Sequence, residues 1–182
     1  MTMSKLTVAI LALALLGPAT PLRARAESND ELRRDAAAAL NSLCAGNSAA
    51  ALLRKKAKAV LVFPHMVKAG FLFGGQVGDG VLFKGGSAAG TYNSVAASYG
   101  LQAGAQTFGY AMFFMTASAL DYLSSSGGWE VGVGPSVVVV DSGMAKTMTS
   151  TTLTNDVYAF IFDQKGLMGG LGLQGSKITK ID

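Results

Sequence analysis

The sequence predicts an α+β domain: two N-terminal helices packed on a strongly coiled, glycine-rich antiparallel sheet or small barrel. Three observations carry that prediction. An alanine-rich segment, Asp30 to Leu43, keeps its apolar residues on one helical face. Beyond Ala59 the apolar runs are short and rich in β-formers, of which Val157 to Phe162 is the clearest. Those runs are broken by glycines: Gly70, Gly74, Gly75 and Gly78, then Gly100, Gly104 and Gly109, then Gly132 and Gly134, then Gly169, Gly170, Gly172 and Gly175. A glycine inside a strand costs about 0.5–1 kcal/mol relative to alanine. So many of them imply bulges, sharp bends or the close approach of a second backbone.

Taken in order, Met1 to Ala26 has the anatomy of a secretory signal peptide. Lys5 supplies the positive start, and Leu6 to Leu16 is an apolar run of 11 residues. That is too short to span a bilayer comfortably, which takes about 20. Gly17-Pro18 breaks the run, and Ala24-Arg25-Ala26 is an A-x-A-type cleavage site. The expected mature domain is therefore residues 27–182, exported, and either periplasmic or peripherally associated with membrane in the cell envelope. Removing Lys5, Arg23 and Arg25 with the leader leaves 12 basic and 11 acidic residues, so the formal charge of +4 falls to +1. A broadly basic nucleic-acid binder is excluded on that ground. With 50% hydrophobic and 14% charged residues in a chain of 182, one folded domain with a real core is expected.

Ser28-Asn29-Asp30-Glu31 reads as a capping box opening the first helix. Leu32, Ala36, Ala39, Leu40 and Leu43 form its apolar face, and Gly46-Asn47 ends it. Ser48 is the expected cap of a second helix through Ala57. Ala59 to Phe63 reads as a first strand stopped by Pro64. Lys68 to Phe83 reads as a hairpin turning around Asp79-Gly80, followed by a loop at Gly85-Gly86-Ser87. Tyr92 to Tyr99 and Leu101 to Tyr110 are expected to be extended. Ala111 to Leu123 fits strand or helix, and Ser124 to Gly128 is loop. Trp129 to Gly134 and Val137 to Val140 suggest strands, and the threonine-rich Met144 to Asn155 fits loop or edge strand. Val157 to Phe162, the turn Asp163-Gln164-Lys165-Gly166 and Leu167 to Ile178 read as a closing hairpin.

The order Ala57-Lys-Ala-Val-Leu-Val-Phe-Pro64, Lys68-Ala-Gly-Phe-Leu-Phe-Gly-Gly75, Tyr99-Gly-Leu-Gln-Ala-Gly-Ala-Gln106, Val133-Gly-Pro135 and Val157 to Gly170 resembles the SYLF domain. The resemblance covers Asp30 to Asp182. It implies membrane-lipid binding, with phosphoinositides as ligands in eukaryotic members and actin binding in some fungal ones. Family members often carry tryptophan-serine-x-proline before the central glycine-rich strand, where this chain has Tyr92-Asn93-Ser94-Val95-Ala96. An exported protein of bacterial type meets no actin, so actin is not an expected partner. Anionic membrane lipid is the expected one, and the sequence names no protein partner.

The residues offer little for catalysis, and no cofactor is expected. Cys44 is the only cysteine and reads as a small buried apolar residue. His65 is the only histidine and reads as a surface or turn residue, because no partners for a metal site or triad lie near it in sequence. The acids from Asp79 to Asp163 sit mostly at turns and strand ends. Gly170-Leu-Gly-Leu-Gln-Gly175 spells G-x-G-x-x-G, but a dinucleotide site needs a helix after it. Only seven strand-like residues follow. The best functional candidate is the basic cluster Arg54, Lys55, Lys56 and Lys58, with Lys68 and Lys84 as possible extensions of the patch. Near an anionic bilayer each such cation contributes roughly 1 kcal/mol. A purely structural role is also open, since cations at a helix C-terminus offset its dipole. The reading that results is a non-enzymatic lipid-binding protein. The alternative is an envelope protein that captures a partner through an exposed strand edge.

Overall fold

The computed structural model describes residues 21–125, 128–130, 134–149, 151–166 and 176–182, with the side chains of 21–27, 71–73 and 98–103 excepted. The leader at 1–20 and the G-x-G-x-x-G stretch lie outside the described residues. In chain order the elements are α1 (Pro21–Gly46), α2 (Ser48–Lys56), β1 (Ala59–Lys84), β2 (Ser87–Phe114), α3 (Ala117–Leu123), β3 (Trp129–Glu130), β4 (Val137–Val139), α4 (Ser142–Thr147), β5 (Val157–Gly166) and β6 (Lys177–Lys180). The fold class is the predicted one: two N-terminal helices followed by a strongly curled sheet.

One hairpin dominates. β1 and β2 run 26 and 28 residues, several times the usual strand of about 5–6. They pair from Ala59↔Phe114 down to Lys84↔Ser87. The turn is Gly85-Gly86, with φ of 59° and 84°, the signature of a type I′ hairpin that only such residues adopt freely. The other edge of β2 is shared. β5 pairs antiparallel with residues 106–114 of β2, and β6 with residues 92–95. β3 then adds to β6, and β4 adds to β5 in parallel.

Strands this long must bend, and the bend is localised. Between Phe63 and Met66, β1 carries one residue more than β2, so Pro64 and His65 form a bulge opposite Gly109. Between Phe162 and Lys165, β5 likewise carries one residue more than β2, and Asp163 takes a φ of 51°. Both bulges fall beside Phe108-Gly109 of β2, which creases three adjacent strands along one line. Further along, β1 returns onto itself across a second register shift, between Phe71 and Phe73, where β2 carries two residues more than β1. Met66 and Gly78 would be about 40 Å apart in a straight strand, yet a Cβ on Gly78 would lie 3.2 Å from Met66 Cα. A Cβ on Gly80 would lie 2.5–2.8 Å from the Phe63 ring. Here the strand glycines serve as the sequence implies: they let two layers of one wall touch.

Between those layers lies the inner core, where Leu61, Phe63, Met66, Tyr110, Met112, Phe114, Trp129 and Ile178 are buried together. The opposite face of the same strands packs Val60, Val62, Phe113, Tyr158 and Phe160 under Ala36, Leu40 and Leu43 of α1 and Leu53 of α2. The run Ala59 to Phe63 is buried continuously because both of its faces are covered.

Several sequence expectations change. Pro64 does not stop β1, because a bulge dispenses with its missing N–H. Asp79-Gly80 is strand interior, and the turn lies at Gly85-Gly86. Among the described residues β5 and β6 do not pair with each other, each being bonded to β2; residues 167–175 of the expected closing hairpin lie outside the described residues. Among the described residues the sheet is mixed through one parallel pair, β4–β5. Residues 111–123 are strand to Phe114 and then helix α3, capped by the Thr116 hydroxyl on Ala119 N–H. Met144 to Asn155 begins inside α4, whose cap is Asp141 accepting from Met144 N–H at 2.7 Å. α1 runs through Ser28, so that residue caps nothing. The cap of α2 is Asn47, whose Oδ1 accepts from Ala49 and Ala50 N–H, and not Ser48.

Candidate functional site

The basic cluster is placed by a sharp change of direction. α2 ends at Lys56, with Ala57 already extended (ψ 140°) and its N–H bonded to Leu53 O at 2.8 Å. Lys58 N–H then bonds Phe114 O at 2.8 Å, which ties the start of β1 to the end of β2. Arg54, Lys55 and Lys56 occupy the last helical turn, and Lys58 lies beyond it. All four are exposed. The first three offset the negative end of the helix. Lys58 is past the last turn and is not explained that way.

Beside them opens a cleft of about 670 Å³ between α1, α2 and the tip of the β1–β2 hairpin. Arg54, Lys55 and Lys58 line it on the α2 side, Ala37, Leu40 and Asn41 on the α1 side, and Phe83, Gly85 and Gly86 on the hairpin side. No carboxylate lines it. Asn41 Oδ1 accepts from Arg54 Nη1 at 2.7 Å and holds that guanidinium at the rim with its other N–H groups unused by this bond. Among the described residues none of the four cations of the cluster is in an ion pair. Cys44 is half-buried near Arg54. Burial raises its thiol pKa, and the hydrogen bond and charge of Arg54 partly oppose the rise.

The structure does not gather every predicted residue here. Lys56 is exposed but outside the cleft lining. Lys68 is only 5% exposed, stands opposite Gln106 on β2 and is not a cleft residue. Lys84 is exposed next to the Gly85-Gly86 turn. Sequence reasoning missed Asn41, Phe83 and the turn glycines as cleft residues. Gly85-Gly86 was a visible turn signal, but its place beside α2 depends on the full length of β1.

A second groove, of about 340 Å³, lies where α1 crosses the crease and is lined by Asp35, Ser42, His65, Thr107, Asp163 and Lys165 among others. His65 is on the surface as expected, with its side chain 74% exposed, and its Nε2 is 3.5 Å from Asp35 Oδ2. Among the described residues no group of three or more His, Cys, Asp or Glu side chains is arranged to hold a metal ion. No helix there is long and apolar enough to cross a membrane.

Fold and cleft together define a small α+β domain: a folded-over sheet, helix-covered on one face, with an acid-free cationic cleft at the hairpin tip. Residues 95–182 match the family model Ysc84, described as Las17-binding protein actin regulator. The matched family, Ysc84 (SYLF), is the one that the motifs of the sequence resemble. The match spans most of β2 and everything after it, whereas the cleft is lined by residues 37–86. No curated protein matches the chain.

Proposed function

We propose that this is an exported, non-catalytic protein that attaches peripherally to anionic lipid through Arg54, Lys55, Lys56 and Lys58. The observation that carries the proposal is the cleft on which three of these cations converge without a carboxylate. The match of residues 95–182 to the Ysc84 (SYLF) family supports a lipid- or actin-related binding role. Of these two, lipid fits an exported chain. The leader read from the sequence supports export, and the actin regulation in the family description is not carried to this protein.

The energetics suit peripheral attachment. Four cations at roughly 1 kcal/mol each near an anionic surface give a reversible hold, which apolar contacts extend. Co-sedimentation with vesicles tests it. Binding to vesicles containing phosphatidylglycerol, with little to pure phosphatidylcholine, is the expected result. Equal and negligible sedimentation with both would remove the mechanism.

A second reading has its own support. Among the described residues β1 is bonded to a strand along one edge only, and an open edge recruits extended peptides. It predicts capture of a protein partner independent of lipid composition.

A further inference from the structure

We infer that the groove at the crease is a second site, one that takes a small zwitterion of the α-amino-acid type. It is separate from the cationic cleft and does not depend on lipid attachment. Four elements build it: α1 supplies Asp35 and Ser42, the β1 bulge His65, β2 Thr107, and β5 Asp163 and Lys165. Its volume of about 340 Å³ is at the small end of the range of roughly 300–1,000 Å³ found for small-molecule sites. A molecule the size of one amino acid suits it better than a long chain does. The backbone is specialised where the charges are. Bulges re-aim side chains, often beside functional sites, and both bulges of the crease reach this groove, with His65 on one and Asp163 on the other. Asp163 takes a φ of 51°, a conformation uncommon outside glycine but open to Asp and Asn. A Cβ on Gly166 would collide with Ala105 O, so β5 lies hard against β2 next to Lys165.

The ligand class follows from the charges. Asp35 and His65 approach each other at 3.5 Å. Asp163 and Lys165 stand two residues apart on β5 and both line the groove. Among the described residues neither of these two is in an ion pair. Opposite charges that share a groove without touching complement a molecule that carries both signs a short distance apart. Its ammonium donates to the Asp163 carboxylate, and its carboxylate accepts from the Lys165 ammonium. A simple anion would be opposed by Asp163 and Asp35, and a simple cation by Lys165. The hydroxyls of Ser42 and Thr107 are left for a polar substituent.

The test is a thermal-shift survey of the purified chain with each of the standard α-amino acids at millimolar concentration, followed by calorimetric titration of the one that raises the melting temperature most. One-to-one saturation is expected. The same amino acid as its amide lacks the carboxylate charge, and as its N-acetyl derivative lacks the ammonium. Each derivative is expected to bind at least about tenfold more weakly. Asp163→Asn keeps the left-handed backbone, which Asn also adopts, and Lys165→Gln removes an exposed charge. Each is expected to lower affinity about tenfold. Lys146→Gln on α4, outside the groove, is expected to leave it within about twofold. No saturation with any amino acid, equal affinity for the amide or the N-acetyl form, or indifference to Asp163→Asn or Lys165→Gln would each overturn the site. So would a loss in Lys146→Gln as large as that in Lys165→Gln, since it would mark a general charge effect. Vesicle binding through the cationic cleft stands or falls separately from all of these results.

Discussion

The two clefts that flank α1 share a helix and a strand, yet their electrostatics differ in kind. At the hairpin tip, Arg54, Lys55 and Lys58 meet no acid. At the crease, Asp35 and Asp163 line the groove together with His65 and Lys165, so it carries acidic as well as basic side chains. The difference follows from what each is built against. The crease is where a bulged β5 delivers Asp163 toward α1, so charges of both signs arrive from separate elements. The tip is met by residues 37–41 of α1, the end of α2 and a glycine turn, none of which brings a carboxylate to the lining. Cationic residues are common on both sides; only the missing counter-charge marks one side as a place for an anion to bind.

The largest expected effect comes from erasing that difference. Converting Arg54, Lys55 and Lys58 together to Gln should weaken binding to anionic vesicles by about 3 kcal/mol, or roughly a hundredfold. Lys165→Gln in the crease groove should change it by about twofold or less, since its charge is already opposed. Vesicle titration of both variants checks the contrast.

A change in the wall should do the reverse, costing stability and sparing lipid. Gly80→Ala places a methyl group against the ring of Phe63, which is fully buried and has nowhere to move. Overpacking of this kind costs about 1–3 kcal/mol. Denaturant unfolding should show that loss, with lipid affinity of the folded fraction unchanged.

The inner core also carries a pH signature. Burial raises the pKa of the Tyr110 phenol well above its ordinary value, because the interior penalises the phenolate. The folded state therefore keeps a proton that the unfolded state releases above about pH 10. Stability should be unaffected below that pH and fall as pH rises beyond it. One tyrosine should ionise only with unfolding when absorbance and circular dichroism are followed together.

The smallest expected effect is at the crease pair. Asp35→Asn removes the partner of a largely exposed His65 and should cost at most about 1 kcal/mol in a thermal melt.

What the sequence disclosed follows the range of the signal. The apolar face of α1 was legible because Ala36, Leu40 and Leu43 repeat at helical spacing, and all three are buried. Close backbone approach was legible in the glycines, and Gly78 bears it out. The length of β1 was not legible, because Pro64 and Asp79-Gly80 imitate stops that a bulge and a folded-over layer absorb. Val157 to Phe162 announced itself as a strand, but its partners did not, since β2 and β4 are distant in sequence and local residues do not encode register. α4 is six residues long, too short for periodicity, and its sign was only the cap at Asp141. For the site, the cations were visible as a cluster. The cleft that gathers three of them and leaves Lys68 aside appears only once α1, α2 and the hairpin tip are in place.

The most direct test of the central claim, that an acid-free cationic cleft holds this protein on anionic lipid, is binding to supported bilayers of graded phosphatidylglycerol content across a salt series. The account predicts binding that climbs with anionic content and falls steeply as ionic strength shortens the screening length to a few ångströms. Binding that ignored both lipid charge and salt would contradict it.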